Sequence, residues 1–343
     1  MVAGAKEEIR RGLRFVTCDT DLGFSDPVEL SSFVDAFSSR FAMKDLGDLH
    51  FFLGIEARRD SSGLFLSQTR NTATLLQRFD MLGANSVSTP MPSTPQPSLH
   101  HGDLLPDLTV YHSMVGALQY LTMTRPDFVY SVSIASQFMH SPRTSHLHVV
   151  KRIFRYLKGI MRHGLLLRLI SDLSLIAYVD ADWAECPDSR RSTSSYALFL
   201  GSNVVSWSAK KQPIVSRSSA EFEYRSVAYA VAELYWLHQL LRDLGVFLHR
   251  PVIVYCDNVS ATYLAANPVF HARTKHIEID FHFVREKVAS VISNSSGLIP
   301  SGRFQSNLFS NKARESSIDA AANAMPGHIL LPAPKGINSK LFP

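Results

Sequence analysis

Hydrophobic and polar positions in the C-terminal half of the chain predict a series of short strands and two helices. Residues 173–180 (LSLIAYVD) and the runs SSYALFLG and NVVSWSAKK predict three strands, the last two joined by a turn at Gly201–Ser202–Asn203. A helical period from Ser219 to Leu244 is followed by an apolar strand, Val252–Tyr255, and by a short helix that Asp257 opens. The order β-β-β-α-β-α predicts an α/β domain in which helices flank a mixed sheet.

The N-terminal half has weaker patterns. Residues 1–30 show little periodicity, and residues 34–41 have a helical pattern. Residues 51–57 and the run GLFLSQ predict a β-hairpin around Ser61, Ser62 and Gly63. Apolar positions over residues 72–79 predict a short helix on the C-terminal side of this hairpin.

Two further segments separate the hairpin from the predicted sheet. Residues 86–110 contain five prolines and few large apolar side chains, so they predict a linker that proline stiffens. Residues 111–160 contain three runs with apolar residues three and four apart, VGALQYL, YSVSIASQF and HVVKRIFRYLKG, with Gly159 as a candidate C-cap. We therefore expect a mostly helical region between the linker and the sheet.

Composition restricts the class of protein. The chain has 343 residues, of which 45% are apolar and 19% charged, which excludes a disordered, fibrous or collagenous protein and leaves room for more than one domain. No apolar stretch approaches the roughly 18–20 residues that cross a bilayer, so we expect no membrane association. Cys18, Cys186 and Cys256 are too few for a disulfide framework. They indicate a reducing, intracellular compartment, without distinguishing the cytoplasm from the nucleus.

Basic residues are concentrated between residues 140 and 170, where no acidic residue occurs. Two interpretations are equally compatible with this block: a solvated helix face, or a surface that attracts polyphosphate. Binding of the second kind would weaken steeply as the salt concentration rises. The cations of this block are Arg143, Lys151, Arg152, Arg155, Lys158, Arg162 and Arg168.

Three acidic residues stand at the ends of elements that can converge in such a sheet. Asp180 closes the first strand, Asp257 closes the strand after the long helix, and Glu223 lies in the first turns of that helix. If the two strands are neighbours, their carboxylates meet at one end of the sheet, where clustered negative charge needs a divalent cation such as Mg²⁺. Two such ions about 4 Å apart activate a water and stabilise the leaving oxygen in phosphodiester cleavage.

The two aspartates have competing interpretations. Asp182 could replace Asp180 as the ligand, although its position before Trp183 and a loop favours a loop-capping role. Asp257 could simply cap the short helix that follows it, which is the commonest role of a single Asp in that place. Three acids in this order, on this pattern of elements, favour the metal site over separate caps.

Glu221 competes with Glu223 in the same way. Ser218 and Glu221 have the S-x-x-E spacing of a capping box, in which the Glu221 carboxylate accepts a hydrogen bond from the Ser218 backbone N–H. This structural role for Glu221 leaves Glu223 free for the candidate metal site.

Eight motifs, in order, resemble the C-terminal half of the Pol polyprotein of copia-type long-terminal-repeat retrotransposons, particularly those of plants. The resemblance covers residues 31–290, about three quarters of the chain. The motifs are MKDLGDLHFFLGIE, GLFLSQ, YHSMVGALQYLTMTRPDFVYSV, VKRIFRYLKG, AYVDADWAECPDSRRSTSSYALFLG, SWSAKKQPIVSRSSAEFEY, YCDNVSA and NPVFHARTKHIEIDFHFVREKV.

The resemblance implies a division of the chain into regions. A degenerate leader (1–30) precedes a remnant of the reverse transcriptase palm with its primer-gripping hairpin (31–85) and the proline-rich linker (86–110). A helical thumb and connection region (111–170), a ribonuclease H-like domain (171–290) and a degraded tail (291–343) follow. The fold expected of the fifth region is the α/β mixed sheet with flanking helices that the pattern predicts.

The resemblance also implies a chemistry. Asp180, Glu223 and Asp257 match metal-binding carboxylates of ribonuclease H, which cuts the RNA of RNA–DNA hybrids with two Mg²⁺ (or Mn²⁺) ions. The expected partner is an RNA–DNA hybrid or duplex, whose groove shape and 2′-hydroxyls carry discrimination while phosphate contacts carry affinity. The cations expected to bind nucleic acid are Arg143, Lys151, Arg152, Arg155, Lys158, Lys210, Lys211 and Lys275.

Two departures from the family lower the expected activities. The paired aspartates of a polymerase, YVDD in the family, correspond to FVTCDTDLGFSDP here, so we expect no DNA synthesis. Near the other end Asn307 replaces the fourth carboxylate of the nuclease site, and an amide oxygen lacks the charge that holds a second ion. We therefore expect a weakened ribonuclease H. The alternative is a non-catalytic nucleic-acid-binding relic of the polyprotein.

Overall fold

Two β-sheets and seven helices make up the part of the chain that the computed structural model describes, residues 49–92, 96–170, 173–248, 250–266, 277–294 and 309–310. None of the helices in these residues is long and apolar enough to span a membrane. In chain order the elements are β1 (Phe51–Phe52), β2 (Ile55–Asp60), β3 (Gly63–Ser67), α1 (Thr69–Arg78), α2 (Leu108–Leu121), a 3₁₀ turn (Pro126–Phe128), α3 (Val129–Ser136), α4 (Thr144–Gly159), β4 (Gly164–Arg168), β5 (Leu175–Asp182), β6 (Thr193–Leu200), β7 (Asn203–Lys211), α5 (Ser219–Asp243), β8 (Ile253–Cys256), α6 (Val259–Ala266), α7 (Glu278–Asn294) and β9 (Phe309–Ser310).

The first sheet is antiparallel, with strand order β1-β2-β3-β4. The predicted hairpin is confirmed as β2 and β3, but the predicted strand 51–57 is broken by a turn in which Leu53 and Gly54 both have positive φ. Strand β4 was not indicated by the sequence. The C-terminal end of the region 111–170, which was predicted to be mostly helical, is therefore a strand of this sheet. Gly164 allows this pairing, because a Cβ at that position would overlap the carbonyl oxygen of Leu66.

The helical region packs α1 to α4 around one apolar core. The three helices predicted over 111–160 are confirmed, and α2 begins earlier than expected because the Asp107 side chain caps it by accepting from the Thr109 N–H at 2.8 Å. Gly159, the predicted C-cap, is instead the last helical residue of α4, and the cap is the next residue, Ile160. The fully buried core residues are Tyr111, Val115, Leu118, Phe128, Val150, Ile153, Phe154 and Leu157.

A buried ion pair joins the elements of this region. The Arg125 guanidinium donates to both carboxylate oxygens of Asp127, at 2.8 and 2.7 Å, and the Tyr156 hydroxyl on α4 donates to Asp127 at 2.9 Å. Arg125 also donates to the Ile160 carbonyl beyond the end of α4. Opposite charges with these additional hydrogen bonds fix the turn before α3 against α4.

The second sheet is mixed, with strand order β7-β6-β5-β8-β9. Strands β5, β6 and β7 are antiparallel neighbours, whereas β8 runs parallel to β5 and β9 parallel to β8. This arrangement confirms the predicted α/β class and the predicted hairpin at Gly201. The long helix predicted over 219–244 is confirmed as α5, which ends before Gly245, a residue with positive φ.

The mixed sheet lies between the helical region and α5. Side chains alternate faces along a strand, and on β5 Ala177 and Val179 join the core under α5, whereas Tyr178 packs against the helical core. Polar contacts also connect the mixed sheet and the loop after β5 to the helical region and the linker. They are Trp207 Nε1 to the Thr122 carbonyl at 3.1 Å, Lys211 Nζ to Gln137 Oε1 at 3.0 Å, and Ser98 Oγ to Asp188 Oδ1 at 2.7 Å.

Candidate functional site

Two of the predicted acids lie at the same end of adjacent parallel strands. Val179 on β5 is in register with Cys256 on β8, so the residues that follow, Asp180 and Asp257, reach the same end of the sheet. Asp180 is buried and accepts a hydrogen bond from the Ala181 backbone N–H at 2.9 Å, whereas Asp257 is exposed. Carboxyl ends of parallel strands are the usual place for a ligand site in such sheets.

Helix α5 brings the third acid to this place. Glu223 is the fifth residue of α5 and only 4% exposed. One side-chain ligand atom of each of Glu223, Cys256 and Asp257 lies within 4.8 Å of the other two, and the Cys256 thiol lies 4.0 Å from the Glu223 carboxylate. The side chains of Glu223 and Asp257 thus lie together, with Cys256 rather than Asp180 as the third member of this close group.

Negative charge is crowded around Glu223, and this crowding raises its pKa. Burial, and then the charges of Asp180 and Asp257, raise the pKa of Glu223 to about 9, although a hydrogen bond from the Ala181 N–H opposes the shift. Burial and the nearby Glu223 likewise raise the pKa of the Cys256 thiol to about 12. At neutral pH Glu223 is thus protonated unless a cation neutralises its neighbours.

Asp182 lies close to the same cluster. It is the last residue of β5 and points to the same side of the strand as Asp180, two residues earlier. Burial and the charge of Asp180 raise the pKa of Asp182 to about 7. The loop-capping role expected of Asp182 belongs to Ser192 instead, whose hydroxyl accepts from the Ala184 N–H at 3.1 Å. Asp182 is therefore a fourth carboxylate of this cluster.

Glu221 has a structural role, as its spacing predicts. The Ser218 hydroxyl accepts from the Glu221 N–H at 3.3 Å, which is one half of the predicted capping box. The Glu221 carboxylate, however, accepts from the Arg217 N–H at 2.8 Å rather than from Ser218, and it pairs with Arg225 at 3.0 Å. Arg225 also reaches Asp280 on α7 at 3.6 Å, so Glu221 helps to join α5 to α7.

Five of the predicted nucleic-acid-binding cations donate to groups of this same chain. Four of the five partners lie in the segment 84–99, so these side chains hold this segment, which includes the first part of the proline-rich linker, against α4. Lys151 and Lys210 are exposed, and Lys275 lies outside the described residues, as does Asn307. The internal contacts are Arg143 to the Leu99 carbonyl (2.7 Å), Arg152 to Thr89 Oγ1 (2.8 Å), Arg155 to the Asn85 carbonyl (2.7 Å), Lys158 to the Ala84 carbonyl (2.8 Å) and Lys211 to Gln137 Oε1 (3.0 Å).

The donor set at the end of β5 and β8 suits a hard divalent cation. Asp180, Glu223 and Asp257 offer carboxylate oxygens from three elements, which are the ligands that Mg²⁺ and Mn²⁺ prefer. The Cys256 thiol stays protonated and is a poor ligand for such ions. From the sequence, Cys256 was only one of three cysteines that are too few for a disulfide framework. Its place directly before Asp257 at a strand end could have indicated that it lies beside the acids.

The class of protein follows from comparison with known families. Residues 17–93 match the family described as reverse transcriptase (RNA-dependent DNA polymerase), and β1, β2, β3 and α1 lie within the matched segment.

Full-length relatives identify the family. The chain is 52% identical over 266 residues to the retrovirus-related Pol polyprotein from transposon RE2 of Arabidopsis thaliana, covering 78% of this chain and 18% of that protein. It is 36% identical over 262 residues to the corresponding polyprotein from transposon TNT 1-94 of Nicotiana tabacum, covering 73% and 19%. The chain belongs to the copia-type retrotransposon Pol polyproteins, and it spans less than a fifth of the length of these relatives.

A shorter relative covers much the same region. An uncharacterised mitochondrial protein of Arabidopsis thaliana is 47% identical over 207 residues, which is 60% of this chain and 86% of that protein.

Proposed function

We propose that the mixed-sheet region hydrolyses the RNA strand of RNA–DNA hybrids with two divalent cations, as a ribonuclease H of a retrotransposon Pol polyprotein. The proposal is supported by the register that puts Asp180 and Asp257 at one end of β5 and β8. A Glu223 carboxylate oxygen lies within 4.8 Å of one of Asp257, and the charges of both aspartates raise the pKa of Glu223. Belonging to a Pol polyprotein family supports a nucleic-acid substrate. The family motifs that resemble ribonuclease H fall on these three elements.

Each carboxylate would have its own part in binding the cations. Asp180 and Asp257 come from neighbouring strands, so they would hold cations between them, and the buried Glu223 would complete the ligand set from the helix. When bound, Mg²⁺ or Mn²⁺ would supply Lewis acidity for the attacking water and for the 3′-oxygen leaving group. Glu223 would give up its proton when the site is loaded, because the cations replace the like charges that hold the proton in place.

Turnover should be slow. The family's fourth carboxylate is replaced by Asn307, and one fewer negative ligand makes it harder to hold two cations together. Mn²⁺ should support the reaction better than Mg²⁺, since Mn²⁺ binds a given set of oxygen and nitrogen ligands more tightly and tolerates irregular geometry.

The test is hydrolysis of a labelled RNA–DNA hybrid with Mg²⁺ or Mn²⁺, compared with RNA duplex and DNA duplex of the same sequence. We expect cleavage of the hybrid alone. Asp180→Asn should lower the rate by more than the roughly 100-fold that loss of a residue supporting a metal ligand costs.

Asp243→Asn is the matched control. Asp243 is an exposed residue at the C-terminal end of α5, far along the helix from Glu223, so the same chemical change there should leave the rate unaltered. Hybrid cleavage that survives Asp180→Asn would reject this site. Tight hybrid binding with no cleavage under either metal would favour the non-catalytic nucleic-acid-binding protein instead.

A further inference from the structure

A buried network of polar side chains lies behind the candidate metal site. Its centre is Gln212, the residue after β7, which is 1% exposed. The Gln212 side-chain amide donates to the Phe222 carbonyl and to the Ser194 hydroxyl, both at 2.9 Å. The Ser226 hydroxyl lies 2.7 Å from the same Ser194 oxygen and 3.1 Å from the Phe222 carbonyl. The sheet and α5 are thus joined here by directional bonds as well as by apolar packing.

Both ends of this network reach residues next to the acids. Phe222 immediately precedes Glu223 in the first turns of α5. Ser194 on β6 is the cross-strand partner of Ala181, whose N–H donates to Asp180. Gln212 therefore bridges the backbone that carries Glu223 and the strand that adjoins Asp180.

Gln212 is itself held in place. Its side-chain oxygen accepts from the Ser216 hydroxyl at 3.0 Å, and its backbone N–H donates to the Ser192 carbonyl at 2.8 Å. A side-chain amide has one oxygen and two N–H groups, and this one has partners for its oxygen and its nitrogen inside the protein. A buried amide with these partners has one preferred orientation, so it can transmit position from the strands to the helix.

Apolar packing alone would not hold Glu223 at a fixed position relative to Asp180. Once Glu223 has lost its proton, its carboxylate on α5 and that of Asp180 on β5 repel one another, which tends to move the first turn of α5 away from the sheet. Hydrogen bonds resist this movement because they have preferred directions. The apolar contacts of Tyr224 in the core have no preferred direction, so they allow α5 to slide along the sheet. We propose that Gln212 is a positioning residue that fixes Glu223 relative to Asp180, so that both carboxylates bind the same cations. This inference rests on the proposed function, since it concerns the same metal site.

Gln212→Met is the direct test, because methionine has similar length and no hydrogen-bonding amide. Gln68→Met is the matched control: Gln68 is also buried, and its amide donates to the Tyr120 carbonyl at 3.3 Å and to Thr124 Oγ1 at 3.2 Å, in the region of the first sheet. The probe is Mn²⁺ alone, titrated into the full chain and followed by electron paramagnetic resonance, with urea unfolding measured in parallel.

We expect Gln212→Met to weaken Mn²⁺ binding roughly 10-fold, the lower end of the range for residues that orient metal ligands. Gln68→Met should lower the urea midpoint by a similar amount and leave Mn²⁺ affinity within about 2-fold of wild type, since its lost bonds lie in another region. Equal Mn²⁺ affinity in the wild type and in Gln212→Met would overturn the positioning role.

A second pair of variants covers the case in which Gln212→Met does not fold. Ser226→Ala removes one member of the network from α5 and introduces the best helix former. Its control is Ser136→Ala, which removes a hydroxyl that bonds to the Val132 carbonyl within α3. Weaker Mn²⁺ binding in Ser226→Ala alone supports the inference, and unchanged binding in both overturns it.

The proposed function fails separately from this inference. If the wild type binds no Mn²⁺, or binds it equally well after Asp180→Asn, the metal site itself is rejected. If wild-type binding depends on Asp180 but not on Gln212, the metal site stands and only the positioning role is lost.

Discussion

The buried Asp127 of the helical region and the buried Glu223 of the mixed-sheet region have opposite electrostatic surroundings. In the helical region Arg125 and Asp127 neutralise each other, and Tyr156 completes the hydrogen bonds of the carboxylate. In the mixed sheet Glu223 is buried among like charges, and no described cation lies within ion-pair distance of it. Paired charges of opposite sign serve the packing of helices. Carboxylates gathered without a cation indicate a place where a ligand supplies the missing charge.

The largest expected effect is the loss of stability when one member of the Arg125–Asp127 pair is removed. Asp127→Asn should lower the free energy of unfolding by about 3–5 kcal/mol, because it leaves the buried Arg125 guanidinium without a counter-charge. Urea unfolding followed by circular dichroism measures this loss. The double variant Arg125→Met with Asp127→Leu should recover most of the stability, since it removes both charges from the interior.

Asp243→Asn, on the exposed end of α5, serves as control and should change stability by less than about 0.5 kcal/mol. A loss of under 1 kcal/mol for Asp127→Asn would mean that water reaches the Arg125 guanidinium, and the contrast between the two regions would disappear.

Sequence patterns predicted β5 to β8, α5 and α6 within two residues, because alternation and the 3.6-residue period follow directly from burial on one face. Helix α7 and strand β9 were not predicted. Strand β4 was missed, since its pairing with β3 depends on a segment almost a hundred residues earlier in the chain. The contacts of Arg155 and Lys158 with the Asn85 and Ala84 carbonyls were also not predicted, because a cation on a helix gives no sign of which distant carbonyl it will meet.

The candidate site was predictable for a different reason. Asp180 lies near the end of β5 and Asp257 directly follows β8. The rule that parallel strands share a carboxyl end brings them together without knowledge of side-chain packing. The Gln212 network could not be foreseen, because it depends on how closely α5 approaches β6. Asn307 stays a prediction, since it lies outside the described residues.

The second prediction concerns the clustered acids of the mixed sheet and their response to pH. The folded state holds the Glu223 proton up to a pKa of about 9, whereas the unfolded chain releases it near the ordinary value of 4.5. Between these values the unfolded state binds fewer protons, so without divalent cations the free energy of unfolding should fall as pH rises from about 5 to about 9. We expect a loss of about 4 kcal/mol between pH 5 and pH 8, at about 1.36 kcal/mol per pH unit, measured by urea unfolding in the presence of a chelator.

Glu223→Gln should remove most of this slope and be more stable than wild type at pH 8, while a smaller slope up to about pH 7 remains from Asp182. Mn²⁺ at 100 times its dissociation constant should add about 2.7 kcal/mol to the wild type. A wild-type stability that is flat from pH 5 to pH 9 would show that these carboxylates are separated by water.

The smallest expected effect separates a cation that faces solvent from one that serves the fold. Lys151 is exposed on α4, and Arg155, one turn later, donates to the Asn85 carbonyl at 2.7 Å. Lys151→Ala and Arg155→Ala change the net charge equally, so non-specific attraction to a hybrid is matched between them. Loss of a phosphate contact lowers the slope of log affinity against log salt by about 1.

We therefore expect Lys151→Ala to reduce that slope by about 1 without loss of stability, and Arg155→Ala to lower stability by about 1 kcal/mol with little change in slope. Hybrid binding measured by fluorescence anisotropy from 50 to 200 mM salt distinguishes the two. If Arg155→Ala alone reduces the slope, its guanidinium exchanges the Asn85 carbonyl for phosphate, and the basic face of α4 is a binding surface that holds the linker only in the absence of nucleic acid.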